Sequence, residues 1–280
     1  MKQIKTTGEE PKKVLTIGGW DPCGSFGMGA DIKTIQALGG HGMGVMTVVT
    51  AQNSLGWYGA EFMSAEFVAQ QLDAVLSDYG ADAVKTGFLG GVDLIETISS
   101  KLTEYNVANI VIDPVIVNAK GMAMFPQDVI DAYVEQLFPL AVAITPNLRE
   151  INLLLNGSTD RWALTDESLK TVIAFQKRVA ALGGEPAVIV KGLSQPDGRL
   201  ADGLVVDEAV QLCHHDKVDT QNVSGTGDSL SAAICCFLAQ GYSLKEAFVK
   251  ASRGISEAIL AGGYWQLGQG AGPIDHTSIG

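Results

Sequence analysis

No run of basic residues in this chain exceeds the pair Lys12-Lys13, and acidic residues outnumber basic ones by 31 to 19. A formal net charge of −12 argues against a nucleic acid or an anionic membrane as partner. It leaves room for an anionic small molecule, which needs only a local site. The four cysteines (Cys23, Cys213, Cys235 and Cys236) form no CxxC pair, and the four histidines show no HExxH spacing. A reduced, cytoplasmic protein without structural zinc is expected. Cys235 and Cys236 read as small buried apolar residues. No apolar run reaches the roughly 18 residues of a membrane span. The polar start of the chain has no apolar segment of the kind a secretion signal needs, and residues 1–12 are expected to form a flexible tail. There is no GxxxxGK[ST] loop and no GxSxG elbow. Gly225 opens Gly-Thr-Gly-Asp-Ser-Leu, which is not GxGxxG, and the glycines at 24, 27 and 29 after the first strand have the wrong spacing for a dinucleotide fingerprint.

The chain does have apolar content suited to a substantial core, at 46% hydrophobic, and 33 glycines. Its periodicity alternates strand and helix. Strands are expected at 14–17, 45–51, 81–85, 109–113, 141–145 and 187–191. Helices are expected at 30–38, 67–76, 91–102, 127–138, 150–155, 167–182, after 227, and at 243–260. A polar connection is expected after Ala51, and residues 200–212 read as a hairpin. Such alternation implies an α/β fold with a mostly parallel, doubly wound sheet and a hairpin near the C-terminal third. No Pro- or Ser-rich linker divides it, so residues 13–280 are expected to form one domain. In such sheets ligands bind outside the carboxyl ends of the strands. Asp21, Gln52, Lys85, Asp113, Asn147 and Lys191 fall at those ends.

The most informative stretch is Asn222-Val223-Ser224-Gly225-Thr226-Gly227-Asp228-Ser229, which runs into an apolar helix. A glycine turn opening a helix presents unpaired N–H groups and the positive end of the helix dipole, a ready anion site. A carboxylate there repels phosphate, but it makes sense as the base that takes a proton from a hydroxyl attacking phosphorus. A small-molecule kinase with Asp228 as base follows. The backbone of Gly225, Thr226, Gly227 and Asp228 would form its anion hole.

Landmarks spread along nearly the whole chain carry a resemblance. They include Leu15-Thr16-Ile17-Gly18-Gly19-Trp20-Asp21-Pro22, Gly29-Ala30-Asp31-Ile32-Lys33-Thr34 and Thr50-Ala51-Gln52-Asn53-Ser54. Val84-Lys85-Thr86-Gly87, Val111-Ile112-Asp113-Pro114, Thr145-Pro146-Asn147-Leu148-Arg149-Glu150, Ser224-Gly225-Thr226-Gly227 and the closing Gly270-Ala271-Gly272-Pro273 follow. Together they resemble the hydroxymethylpyrimidine and phosphomethylpyrimidine kinases of the ribokinase-like superfamily. The resemblance implies a three-layer αβα sandwich and ATP-dependent phosphorylation of 4-amino-5-hydroxymethyl-2-methylpyrimidine and its monophosphate, in the pyrimidine branch of thiamine synthesis. It implies a pyrimidine held by Gly19, Asp31 and Gln52. Asp113 and Glu150 would orient Mg²⁺ through water. On the nucleotide side it implies Asn147 and Lys191, with Asp202 nearby, and it suggests a homodimer.

The chain also departs from that pattern. The family's pyrimidine kinases usually carry Cys where Asp228 stands; Asp is typical of the wider superfamily, including the pyridoxal kinases. Trp20, Phe26 and Phe88 replace smaller or aliphatic residues, and would either stack on a heteroaromatic ring or narrow its pocket. Lys120 lies in a segment that often forms a lid, from which it would reach phosphate. The competing readings are a pyridoxal or pyridoxine kinase and a non-catalytic sensor of the vitamin precursor.

Overall fold

The computed structural model describes residues 10–118, 120–160, 165–195 and 199–280. The tail expected over 1–12 therefore lies outside the described residues from 1 to 9. The chain alternates as the periodicity predicts. Strand β1 (Lys13–Trp20) is followed by α1 (Gly27–Ala37), β2 (His41–Asn53), β3 (Gly56–Phe62), α2 (Ala65–Asp78), β4 (Ala83–Thr86), α3 (Val92–Glu104) and β5 (Ile110–Ile112). Then come α4 (Gln127–Ala132), β6 (Ala143–Ile144), α5 (Leu148–Asn156), α6 (Asp166–Ala180), β7 (Ala187–Ser194), β8 (Leu200–Val206), β9 (Ala209–His215), α7 (Thr226–Ala239) and α8 (Leu244–Gly262).

Among the described residues the strands form one nine-stranded sheet in the order β3-β2-β1-β4-β5-β6-β7-β8-β9. The six strands from β2 to β7 in that order pair in parallel. Antiparallel strands close both edges: β3 on one side, β8 and β9 on the other. The expected 200–212 hairpin is β8–β9. The connection expected to be polar after Ala51 is instead the turn into β3. The Asn53 side chain accepts the N–H groups of Leu55 and Gly56, which tightens the chain enough to fold it back on β2. The helix expected over 127–138 is regular only to Ala132. It widens to a π turn at Tyr133–Leu137 and ends in a 3₁₀ turn at Phe138–Leu140, where Pro139 cannot continue it.

Side chains alternate across a strand, so each central strand feeds two cores. Leu15, Val84, Ile110, Ile112, Ile144, Val188 and Val190 pack with residues of α2 to α6. Their neighbours Val14, Ala83, Val111, Ala143, Ala187 and Ile189 pack with residues of α1, α7 and α8. This makes three layers. The helices start on side-chain caps where the sequence supplies them. Ser64 caps α2, and Ser243 with Glu246 forms a capping box on α8. No helix among the described residues is long and apolar enough to cross a membrane.

The C-terminal segment closes over the α1/α8 layer through a 3₁₀ turn, His276–Ser278. There His276 is buried, and its Nε2 meets no hydrogen-bond partner among the described residues. Burial, with the charge of Lys33, lowers its pKa from 6.5 to about 4. The folded protein thus resists a proton that the unfolded chain accepts. The stability this contributes is present above pH 6.5 and is lost as pH falls toward about 4. In His276→Gln the fall in Tm across that window should be smaller than in the wild type, as read by differential scanning fluorimetry. An identical fall would show that His276 does not carry the effect.

Candidate active site

Strand parity builds the site. Thr16 shares a face of β1 with Val14, and Lys85 shares a face of β4 with Ala83. The two sit opposite one another in the parallel β1–β4 pair. Asp113 follows β5 on the face of Val111, and Lys191 lies on β7 on the face of Ile189. All four polar residues therefore point to the layer of α1, α7 and α8, near the carboxyl ends of their strands. There the N-terminus of α7 meets them.

The glycine turn does what its sequence suggests. Gly225 caps α7 with φ +76°, a left-handed conformation in which a side chain is strained. A Cβ on Gly225 would also strike the carbonyl oxygen of Ser25, so the loop after β1 and the turn before α7 are in direct contact. Asp21 holds that loop: its carboxylate accepts the N–H groups of Cys23, Ser25 and Phe26 at 2.9–3.1 Å. The anion hole is smaller than expected. Thr226 donates both its N–H and its hydroxyl to the Val223 carbonyl, which removes its amide from the cradle. The N–H groups of Gly227 and Asp228 meet no acceptor among the described residues.

Two lysines flank this helix mouth, each tied to a buried carboxylate. Lys191 Nζ donates to both oxygens of Asp113, at 2.8 and 2.9 Å, and lies so close to Gly227 that a Cβ there would come within 2.9 Å of it. Burial works against the Lys191 ammonium, but Asp113 and Glu150 outweigh it and hold its pKa above the ordinary lysine range. Lys85, with no exposed surface, donates to Asp31 at 2.6 and 2.7 Å and reaches Asp228 Oδ1 at 3.5 Å. Burial opposes its charge too, and Asp31, Asp228 and Asp113 hold it protonated. Burial pushes Asp31 up to about 7, against the pull of Lys85 and with the repulsion of Asp228 added.

Asp31 was expected to meet the pyrimidine's amino group. It is instead 1% exposed, and its oxygens are taken by Lys85 and by the Thr16 hydroxyl at 2.6 Å. The reason is Lys85, which noted itself in the sequence only as a polar strand end. A buried ammonium requires a carboxylate, and Asp31 on α1 makes the closest contacts with it, at 2.6 and 2.7 Å. Asp202 is likewise turned inward, onto the Gly192 N–H, the Ser252 hydroxyl and His215. Through the Gly192 backbone it shapes one wall of the cavity beside Lys191. Phe88 stays beside Gly19, but its ring contacts are Trp57, Phe62 and Phe125 at 5.2–6.3 Å. Trp20, the last residue of β1, and Phe26, which precedes α1, make none of those ring contacts and are 36% and 40% exposed. The regrouping follows from β3, which delivers Trp57 and Phe62 and has no counterpart in the expected elements. Gln52 sits half-buried at the end of β2, where its carbonyl accepts from Cys23 Sγ.

On the other side of Lys191 lies a cavity of about 320 Å³ lined by Val117, Asn118, Asn147, Leu148, Arg149, Lys191 and Gly192. Asn147 and Glu150 form the capping box of α5, and Glu150 also accepts the Ile116 N–H at 3.1 Å. Burial raises Glu150 to about 7, opposed by Lys191 and reinforced by Asp113. Lys120 is exposed in a turn closed by Asn118, and Arg149 packs against Gly121 of that turn. Arg149 is a cavity cation that the motif reading passed over, although it stands inside Thr145-Pro146-Asn147-Leu148-Arg149-Glu150. Among the described residues no group of three or more His, Cys, Asp or Glu is placed to hold a metal ion. Asp113 and Glu150 fit a Mg²⁺ that keeps much of its water and is bound mainly by phosphate, and not a resident metal caged by protein.

Fold and site together define an α/β sandwich of the kinase type, with an anion-accepting helix mouth and a carboxylate inside it. The chain belongs to the phosphomethylpyrimidine kinase family, whose sequence profile matches residues 21–275. It is 35% identical over 268 residues to the hydroxymethylpyrimidine/phosphomethylpyrimidine kinase of Bacillus subtilis, covering 95% of each chain. It is 38% identical to the thiamine biosynthesis bifunctional protein of Geobacter sulfurreducens, with 94% of this chain matched to 52% of that longer protein. The crystal structure of Bacillus subtilis pyridoxal kinase in complex with ADP superposes with a TM-score of 0.84 at 33% identity, covering 96% of this chain and 99% of the other. The ribokinase-like fold implied by the sequence is the fold observed.

Gly225→Ala tests the contact between loop and turn. A left-handed alanine and the clash with Ser25 should cost about 1–3 kcal/mol, lowering Tm by a few degrees and kcat at least about tenfold. Unchanged Tm and kcat would show that the turn can be built without glycine.

Proposed function

We propose that this protein transfers the γ-phosphoryl group of ATP to the hydroxymethyl group of 4-amino-5-hydroxymethyl-2-methylpyrimidine, and in a second reaction to the resulting monophosphate. The observation that carries the reading is the pairing of Asp228 with the Gly225–Gly227 turn, at the α7 N-terminus and between two lysines. As the alcohol oxygen bonds to phosphorus, its proton passes to Asp228. The amides of Gly227 and Asp228 face the charge on the migrating group, and Lys191 neutralises part of it. Asn147, Arg149 and Gly192 line the space for the nucleotide, with Lys120 at its rim. Asp113 and Glu150 would hold a Mg²⁺ ion through water, and that ion would supply neutralisation of phosphate charge. The kinship with hydroxymethylpyrimidine/phosphomethylpyrimidine kinases and the half-buried carboxamide of Gln52, which offers both a donor and an acceptor to an aminopyrimidine, support that substrate.

Gly19, Trp20, Phe26 and Phe88 are proposed to border the ring. A single working domain over 13–280 is supported by the one sheet that runs through it. A cytoplasmic setting accords with four unpaired cysteines. A homodimer is supported by the exposed apolar side chains of the β2–β3 edge, among them Leu55, Trp57, Tyr58 and Phe62.

Asp228→Asn should lower kcat by roughly 10²–10⁴-fold with ATP and the aminopyrimidine alcohol. A loss of less than about threefold would mean that Asp228 is not the base. Lys120→Ala should raise the KM for ATP by about three- to tenfold and leave the KM for the alcohol nearly unchanged. An unaltered KM for ATP would remove Lys120 from the site.

A further inference from the structure

Lys85 has no part in the reaction as described so far, yet its ammonium is completely buried within reach of the proposed base. It divides one positive charge between two carboxylates. Asp31, sealed in the core, takes the short contacts at 2.6 and 2.7 Å. Asp228, 16% exposed and facing the site, receives a longer one at 3.5 Å on Oδ1. The Thr16 hydroxyl donates to Asp31 Oδ2 at 2.6 Å and helps hold that carboxylate in place. Among the described residues Lys85 is the one side chain that donates to the Asp228 carboxylate. The other charged groups around Asp228 are Lys191 on β7, Asp113 after β5 and His276 in the closing turn, itself influenced by Lys33. Of these, Lys191 is occupied by Asp113.

A carboxylate that works as a base beside phosphate faces two opposite demands. Without a cation it would be repelled by the phosphate oxygens and displaced. With an unshared buried ammonium it would be held so firmly in its ionised form that it would accept a proton poorly. We propose that Lys85 is a positioning residue for the reaction: it holds Oδ1 of Asp228 and leaves Oδ2 to receive the alcohol proton, while Asp31 draws off part of the Lys85 charge and so sets the basicity of Asp228. The O–H bond of the alcohol and the bond from the γ-phosphorus to ADP break as the new O–P bond forms; the proton ends on Asp228, ADP leaves with the electron pair of the broken bond, and Lys85 keeps its own protons throughout. This rests on the reading of Asp228 as the base.

The test compares wild type, Asp31→Asn, Lys85→Met and Asp228→Asn, with kcat followed between about pH 5 and 9 and KM for both substrates. In Asp31→Asn the ammonium turns wholly to Asp228, and the acid limb of kcat should move to lower pH by about half to one unit. In Lys85→Met the cation is gone; the acid limb should move to higher pH, and kcat at neutral pH should fall about 10²-fold with the KM for ATP changed less than about threefold. Opposite shifts from two partners of one ion pair are not a consequence of lost stability. If Lys85→Met does not fold, the doubly substituted Asp31→Asn/Lys85→Met protein removes the charges together and should show an upward shift that is smaller, because the repulsion of Asp31 is lost with the attraction of Lys85. Limbs that stay at the wild-type position, or that move in the same direction, overturn the role of Lys85 when Asp228→Asn is inactive. Activity retained in Asp228→Asn overturns the reading of Asp228 as base and this proposal with it.

Discussion

Burying an ammonium costs several kcal/mol unless a carboxylate accompanies it; this structure buries Lys85 completely and leaves Lys191 only 16% exposed. Lys85 and Lys191 both rise from the sheet into the layer of α1, α7 and α8, and each takes a carboxylate with it: Asp31 for one, Asp113 for the other. These pairs dictate much of the rest. They require α1 to lie where Asp31 can reach β4. They require β5 and β7 to keep a register that sets Asp113 beside Lys191. They also leave the mouth of α7 between two positive charges. A shift of any of these strands by one residue would turn its charged group into the opposite, wholly apolar core.

The same arrangement explains how a carboxylate can work in an anion site. The N-terminus of α7 offers amides from Gly227 and Asp228, and Lys191 stands over Gly227. Asp228 would be repelled by phosphate there but for Lys85 beneath it. The close approach of Ser25 to Gly225 ties this mouth to the loop after β1, so the phosphoryl side and the side proposed for the acceptor alcohol form one rigid constellation. On the side proposed for the nucleotide, Glu150 has a structural part. It caps α5 and holds the Ile116 N–H, and these bonds fix the wall of the cavity beside Asn147. Asp202 works in a similar way, through the Gly192 N–H.

The layer order, the parallel core of the sheet, the 200–212 hairpin and the glycine turn that opens α7 were all legible in the sequence. They depend on local periodicity, glycine and the spacing of motifs. What was not legible depends on partners far apart in the chain. Asp31 and Lys85 are 54 positions apart, and nothing local says that they neutralise each other. Asp31 therefore read as a substrate contact when it is the counter-ion of a buried lysine. Thr226 read as an anion-hole amide because its position in the turn fits; its N–H is spent on Val223, a detail of turn geometry. The aromatic group around Phe88 depends on β3, which the periodicity of the sequence does not reveal. Its residues alternate weakly, and its turn is held by the Asn53 side chain, not by a glycine pair. Arg149 was visible as a letter but not as a wall of the cavity, since its place there depends on α5 packing against the 118–122 turn.

The central claim is phosphoryl transfer to an aminopyrimidine alcohol. The most direct measurement is kcat/KM with ATP for 4-amino-5-hydroxymethyl-2-methylpyrimidine and for pyridoxal, with the products identified by phosphorus NMR. The account predicts turnover of the aminopyrimidine with kcat/KM at least about tenfold above that of pyridoxal, giving the monophosphate and then the diphosphate. Preferred turnover of pyridoxal, or tight binding of the pyrimidine with no phosphorylated product, would contradict it.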